Sequence, residues 1–143
     1  MQNPQHLYSQ GGSYLVTLKV TNSGSCTDSV AYNISIHQRP TAAFSYFSKN
    51  CPKGEVAFTD LTLPVGSPIT NWYWYPEPNI QLTSQNPVYL YTATGINQLI
   101  RMIVKDAHGC MDTIDSTIFI KPGFAFTFNA TQACFGDSTE FIP

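Results

Sequence analysis

Charge is scarce in this chain. Lys, Arg, Asp and Glu supply 11% of its 143 residues, against roughly 25% in soluble domains generally. Ser, Thr, Asn and Gly fill the deficit, a profile that suits all-β exported modules better than helical cytosolic proteins. The seven Lys and Arg are scattered and the net charge is −2, so nothing points to nucleic acid or another polyanion as partner. No apolar run approaches the roughly 18–20 residues that a membrane-spanning helix needs, so no membrane insertion is expected. The opening "MQNPQHLYSQ" lacks a basic n-region and an apolar h-region and does not read as a signal peptide.

Catalytic constellations are also missing. There is no phosphate-cradling Gly loop, no nucleophile elbow and no pair of carboxylates in matching contexts. The expectation is therefore a protein that is not an enzyme and carries no cofactor. The four cysteines, Cys26, Cys51, Cys110 and Cys134, form no Cys-x-x-Cys pair, which excludes a zinc ribbon and a thioredoxin motif. Their even spread in a Ser/Thr-rich background favours disulfides in an oxidising compartment. Four free thiols in a reducing setting are the alternative.

What is present is repetition. "LIRMIVKDAHGCMDTIDSTIFI" repeats the outline of "YLVTLKVTNSGSCTDSVAYNISI", and Cys110 minus Cys26, like Val104 minus Val20, is 84. "QNPVYLYTATG" repeats "QNPQHLYSQGG". "KPGFAFTFNATQACFGDSTEF" resembles "RPTAAFSYFSKNCPKGEVAF", and Cys134 minus Cys51, like Phe141 minus Phe58, is 83. A period near 83 residues exceeds that of solenoids and fits a whole small domain in tandem. In this register residues 1–37 are the back part of one unit, 38–121 a complete unit, and 122–143 the front of a third. The chain reads as part of a longer array.

Within the unit the hydrophobic period is two, the strand period. Val16, Leu18 and Val20 alternate with polar residues, as do Ile100, Met102 and Val104. Val30, Tyr32, Ile34 and Ile36 form the next alternation, matched by Ile114, Ser116, Ile118 and Ile120. "NSGS" and "DAHG" between the runs are hairpin turns. Ala42 with Phe44, Val56 with Phe58, and Trp72 with Trp74 mark three earlier strands. No window carries a helical stripe, and Pro64, Pro68, Pro76, Pro78 and Pro87 punctuate the middle. About seven short strands in such a unit predict an all-β, two-sheet sandwich.

These stretches together resemble the PKD (polycystic kidney disease) domain, an immunoglobulin-like sandwich. The resemblance rests on "RPTAAF", "CPKGEVAFTD", "ITNWYW", "QNPVYLYTATG" and "IVKDAHGCMDTI". The Cys before the second strand and the Gly-Cys-x-Asp-Thr after the hairpin resemble tandem arrays in large secreted proteins of Bacteroidetes-type bacteria. The chain departs from the family where "WYPEPN" (Trp74–Asn79) replaces an acidic, Gly-rich turn, which removes the basis for a cation there. The resemblance implies a Cys51–Cys110 bridge within the central unit, with Cys26 and Cys134 paired outside residues 1–143.

His108 lies two residues from Cys110, but the earlier unit has Gly24 in its place. It reads as a surface turn residue and not as half of a dyad. Asp106, His108 and Asp112 form an incomplete metal set, since Asp106 aligns with Asn22. With Trp72 and Trp74 turned to the core, Tyr73 and Tyr75 point outward, where a tyrosine can stack on a sugar ring or a protein partner; ordinary surface packing is the plainer alternative. Asp-Ser/Thr followed by Val, Ile or Thr resembles the O-glycosylation signal of such exported proteins. It occurs at Ser29, Thr113, Ser116 and Ser138, and two of the four coincide with the repeat's own hairpin.

The expected function is that of a structural module, a stalk, spacer or fibre shaft of a cell-surface adhesin or similar extracellular protein, with neighbouring repeats as its partners. One alternative is a module that binds polysaccharide or a surface protein through its exposed tyrosines. Another is a filament subunit in which residues 1–37 meet 122–143 of a neighbouring chain. That composite would lack the equivalent of 61–83, including the Trp strand, and is the less favoured.

Overall fold

The computed structural model describes residues 3–49, 54–122, 129–130, 133–135, 138–139 and 141–142. Every regular element among them is a strand. Two strands, β1 (Gly12–Thr21) and β2 (Thr27–Ile36), precede the central unit. Seven strands build that unit: β3 (Phe44–Ser48), β4 (Glu55–Asp60), β5 (Ile69–Glu77), β6 (Ile80–Leu82), β7 (Val88–Leu90), β8 (Ile96–Asp106) and β9 (Met111–Ile120). Two short strands follow, β10 (Asn129–Ala130) and β11 (Phe141–Ile142), paired antiparallel.

The seven central strands form two antiparallel sheets, ordered β3-β4-β7 and β6-β5-β8-β9. Alternation decides which side of each is apolar. Val56 and Phe58 face inward from the first sheet; Trp74, Ile100, Met102, Val104, Ile118 and Ile120 face inward from the second, and all are buried. Phe44, Phe58 and Trp74 meet ring to ring, with centroids 5.3–6.1 Å apart. Such contacts add to what apolar burial alone supplies. Pro76 sits inside β5 without breaking it, because the β5–β6 pairing is irregular between Trp74 and Glu77 and needs no ladder bond there.

The two ends of the sandwich differ. At one end, the Ala42 N–H donates to Asp112 Oδ2 (2.8 Å) and the Ala107 N–H to the Pro68 carbonyl (3.0 Å). At the other, the Lys121 N–H donates to Ser48 Oγ (3.3 Å) and the Gly95 N–H to the Ile120 carbonyl (2.7 Å). The chain thus enters at one end and leaves at the opposite one. The ten residues of β9 lie between them, about 33 Å of strand at about 3.3 Å per residue.

Hairpin β1–β2 repeats hairpin β8–β9 pair for pair. Gly12 faces Ile36 as Ile96 faces Ile120, and Thr21 faces Thr27 as Lys105 faces Met111, each shifted by 84 (96 − 12; 105 − 21). The turns match as well. Asn22 Oδ1 accepts from the Gly24 and Cys26 N–H groups (2.9 and 3.0 Å). Asp106 Oδ1 accepts from those of His108 and Cys110 (3.0 and 2.8 Å). Ser25 and Gly109 both take positive φ, 63° and 87°, a conformation that costs Gly little.

Candidate functional site

The Asp106–Cys110 turn is a structural device. The Asp106 carboxylate, only 2% exposed, is held in the turn by the N–H groups of His108 and Cys110, from which it accepts through Oδ1. Asp112 is likewise engaged by the Ala42 N–H. Among the described residues no group of three His, Cys, Asp or Glu is placed to hold a metal. His108 is exposed, but its ring stacks on that of His37 with centroids 3.7 Å apart and planes 12° from parallel. His37 lies in the segment linking β2 to the central unit, so the contact joins that segment to the β8–β9 turn. Nothing in the alternation of either strand pointed to it.

The expected Cys51–Cys110 bridge falls in part outside the described residues. Cys51 lies outside the described residues, and Cys26, Cys110 and Cys134 carry no disulfide. The described residues on either side of Cys51 lie at the end of the sandwich remote from Cys110. Ser48 contacts Lys121, and the Gly54 carbonyl accepts from the Tyr91 N–H (2.9 Å), both at the exit end. Cys110 is at the entry end. Three residues of chain reach about 10 Å at most, and disulfide-bonded Cα atoms lie within about 7 Å. Neither closes a gap as long as β9. The start and end of the unit in sequence are not neighbours in space.

The outward side of the four-stranded sheet carries a concavity. Tyr75, Glu77, Gln98, Leu99, Arg101 and Ile103 line an open groove of about 490 Å³. Tyr75 lies opposite Arg101 across β5 and β8, and Arg101 opposite Asp115 across β8 and β9. That pairing lets the guanidinium fork the carboxylate, with Nε to Oδ1 and Nη2 to Oδ2 both at 2.7 Å. The hydrogen bonds from Arg101 hold the Asp115 carboxyl below its usual range, and those to Asp115 raise the guanidinium. Charge in the groove is thereby balanced, apart from Glu77. Behind the strand, burial pushes the Tyr91 phenol up, with Glu77 adding to the effect.

Of the two predicted contact residues, Tyr75 lines this groove. Tyr73 lies on the same face one pair along, opposite Ile103, and is not part of the lining. Both are half-buried. Leu99 and Arg101 were missed in the sequence, although their alternation with the inward-facing Ile100 and Met102 was a signal that they face outward. Trp74 is buried as expected, while Trp72 is partly exposed and donates through Nε1 to Asp60 Oδ2 (2.8 Å).

Ser29, Thr113 and Ser138 are exposed; Ser116 is half-buried, on the same side of β9 as Ile114 and Ile118. The Asp residues before Ser29 and Thr113 have local work: Asp28 accepts from the Ser29 N–H (2.8 Å), and Asp112 from Ala42.

No family model and no curated protein matches the chain. Solved structures do. The PKD1 domain of Vibrio anguillarum Epp is 18% identical with a TM-score of 0.54, covering 59% of this chain and 96% of that domain. The PKD1 domain of the Vibrio cholerae metalloprotease PrtV is 20% identical with a TM-score of 0.53, covering 59% and 99%. A structure of carbohydrate-binding modules of the β-sandwich superfamily, described as promiscuous in specificity, is 23% identical with a TM-score of 0.52. The match covers 59% of this chain and 35% of that one. The fold is thus a PKD-like, immunoglobulin-like β-sandwich.

Proposed function

We propose that the chain is a non-catalytic structural module of a large extracellular repeat protein, a stalk, spacer or shaft built of units such as 38–121, with 1–37 and 122–143 belonging to its neighbours. The observation that carries this reading is the path of the chain, which enters the sandwich at the Ala42–Asp112 end and leaves at the Ser48–Lys121 end. Units connected in this way add length instead of folding back, and they hold whatever they bear away from a surface. The low charge and Ser/Thr-rich composition suit an exported location, and no helix among the described residues is long and apolar enough to cross a membrane. Small-angle scattering tests the reading: the chain should give the profile of an elongated particle, and a compact, near-spherical one would overturn it.

A second reading is carried by the groove beside Tyr75. An apolar floor of Leu99 and Ile103, one ring, and polar groups from Gln98, Arg101 and Glu77 are the elements of a weak binding site for a sugar ring or a protein segment. Pull-down on insoluble glycans, with Tyr75→Ala and Tyr73→Ala as controls, decides it. Retention lost in the Tyr75 variant alone supports the groove; equal retention of both variants and the parent removes it.

A further inference from the structure

The face of β1–β2 that corresponds to the buried face of β8–β9 is open. Ile100, Met102 and Val104 are each 0% exposed, whereas their counterparts Val16, Leu18 and Val20 are 41%, 55% and 54% exposed. Val30 is 45% exposed where Ile114 packs against the core. The strand register, the turn bonds and the residue types are otherwise shared. The difference therefore lies in what stands opposite. In the central unit the cover is β5 on the free edge of β8, with β3, β4 and β7 across the core.

We propose that β1–β2 is the closing hairpin of a second sandwich, and that its open face is an interface for a half-sandwich of the β3–β7 kind carried on the same polypeptide. Such a partner would lay a β5-like strand along β1, with large apolar side chains opposite Leu18 and Val20, where Trp74 and Trp72 stand opposite Met102 and Val104. The inference deepens the array reading and rests on it. The approach to β1 indicates a partner in the same chain. "QHLYSQGG" leads into β1 as "VYLYTATG" leads into β8, and Tyr8 stands where the buried Tyr91 does. Gly11 sits so close beneath Ile36 and Gln38 that a side chain there would collide with them, so the crossing from this lead-in segment to the hairpin is already formed. A second copy of the chain is a poor cover, because its own β3–β7 strands are engaged with its own β8–β9.

The test lengthens the full chain by a copy of residues 38–94 joined to Gly11, and follows amide hydrogen exchange in residues 12–36. In the original chain these amides should exchange fast while those of β8–β9 are protected. In the lengthened chain they should slow by about tenfold or more, and Leu18→Asp should abolish that gain without altering β8–β9. Three outcomes overturn the proposal: protection of 12–36 in the original monomer, no gain on lengthening, or a gain that Leu18→Asp leaves intact. Protection that appears only as the original chain self-associates also overturns it, in favour of a second copy as cover. A lengthened chain that misfolds is recognised by loss of β8–β9 protection. A control in which residues 96–120 replace 12–36 then separates the causes: if the control folds, the face of β1–β2 is the fault and the proposal fails, and if it misfolds too, the same-chain crossing at Gly11 is wrong and the proposal fails on that count. The scattering profile reads the elongation of the original chain separately, so the two ideas can fail independently.

Discussion

The Trp72 indole N–H donates to Asp60 Oδ2 at 2.8 Å, and so ties β5 in one sheet to the end of β4 in the other. Gln85 donates to the same oxygen (3.2 Å), and the Thr62 N–H to Oδ1 (3.0 Å). Burial pulls the Asp60 carboxyl upward, but hydrogen bonds from Thr62, Trp72 and Gln85 outweigh it and hold the group below its usual range. A carboxyl lowered by folding contributes stability above its unfolded value of about 3.9, and that contribution is lost as the pH falls through the lowered one. Asp60→Ala should cost about 1–3 kcal/mol at neutral pH. Urea titrations of parent and variant should converge in acid; a gap that persists undiminished at low pH would show that the charge is not what matters.

Asp106 and Asn22 serve equivalent turns, so the molecule contains its own control. Asp106→Asn should be tolerated, because Asn22 receives the same two N–H groups through Oδ1. Asp106→Ala removes the acceptor of both part-buried hydrogen bonds and should cost about 1–3 kcal/mol. Thermal unfolding that ranks the two variants equally would contradict this account of the turn.

Met102 and Leu18 occupy one register position in two hairpins, at 0% and 55% exposure. Met102→Ala should destabilise the central sandwich by about 2–5 kcal/mol. Leu18→Ala in the monomeric 143-residue chain should change its unfolding by less than about 0.5 kcal/mol. Chemical denaturation of each variant measures both.

Non-reducing peptide mapping should recover Cys51 and Cys110 in separate peptides. The strand directions around Ser48, Gly54 and Lys121 place the surroundings of Cys51 at the end remote from Cys110. A joined peptide would mean that these strands are arranged otherwise.

The sequence by itself determined the strands, their inward faces and the period, because side-chain alternation is a local property and the repeat supplied a second copy to check it against. Trp74, Ile100, Met102 and Val104 were legible as core for that reason, and the 84-residue offset reappears in the pairing of β1 with β2. Tertiary structure alone decided which ends meet. Only the antiparallel course of the strands puts the chain's entry, beside Ala42 and Asp112, and its exit, beside Ser48 and Lys121, at opposite poles. It also decided that Arg101 finds Asp115 and that His37 finds His108. Those contacts depend on cross-strand register and on how a linking segment lies against a turn, and neither leaves a mark on hydrophobic periodicity.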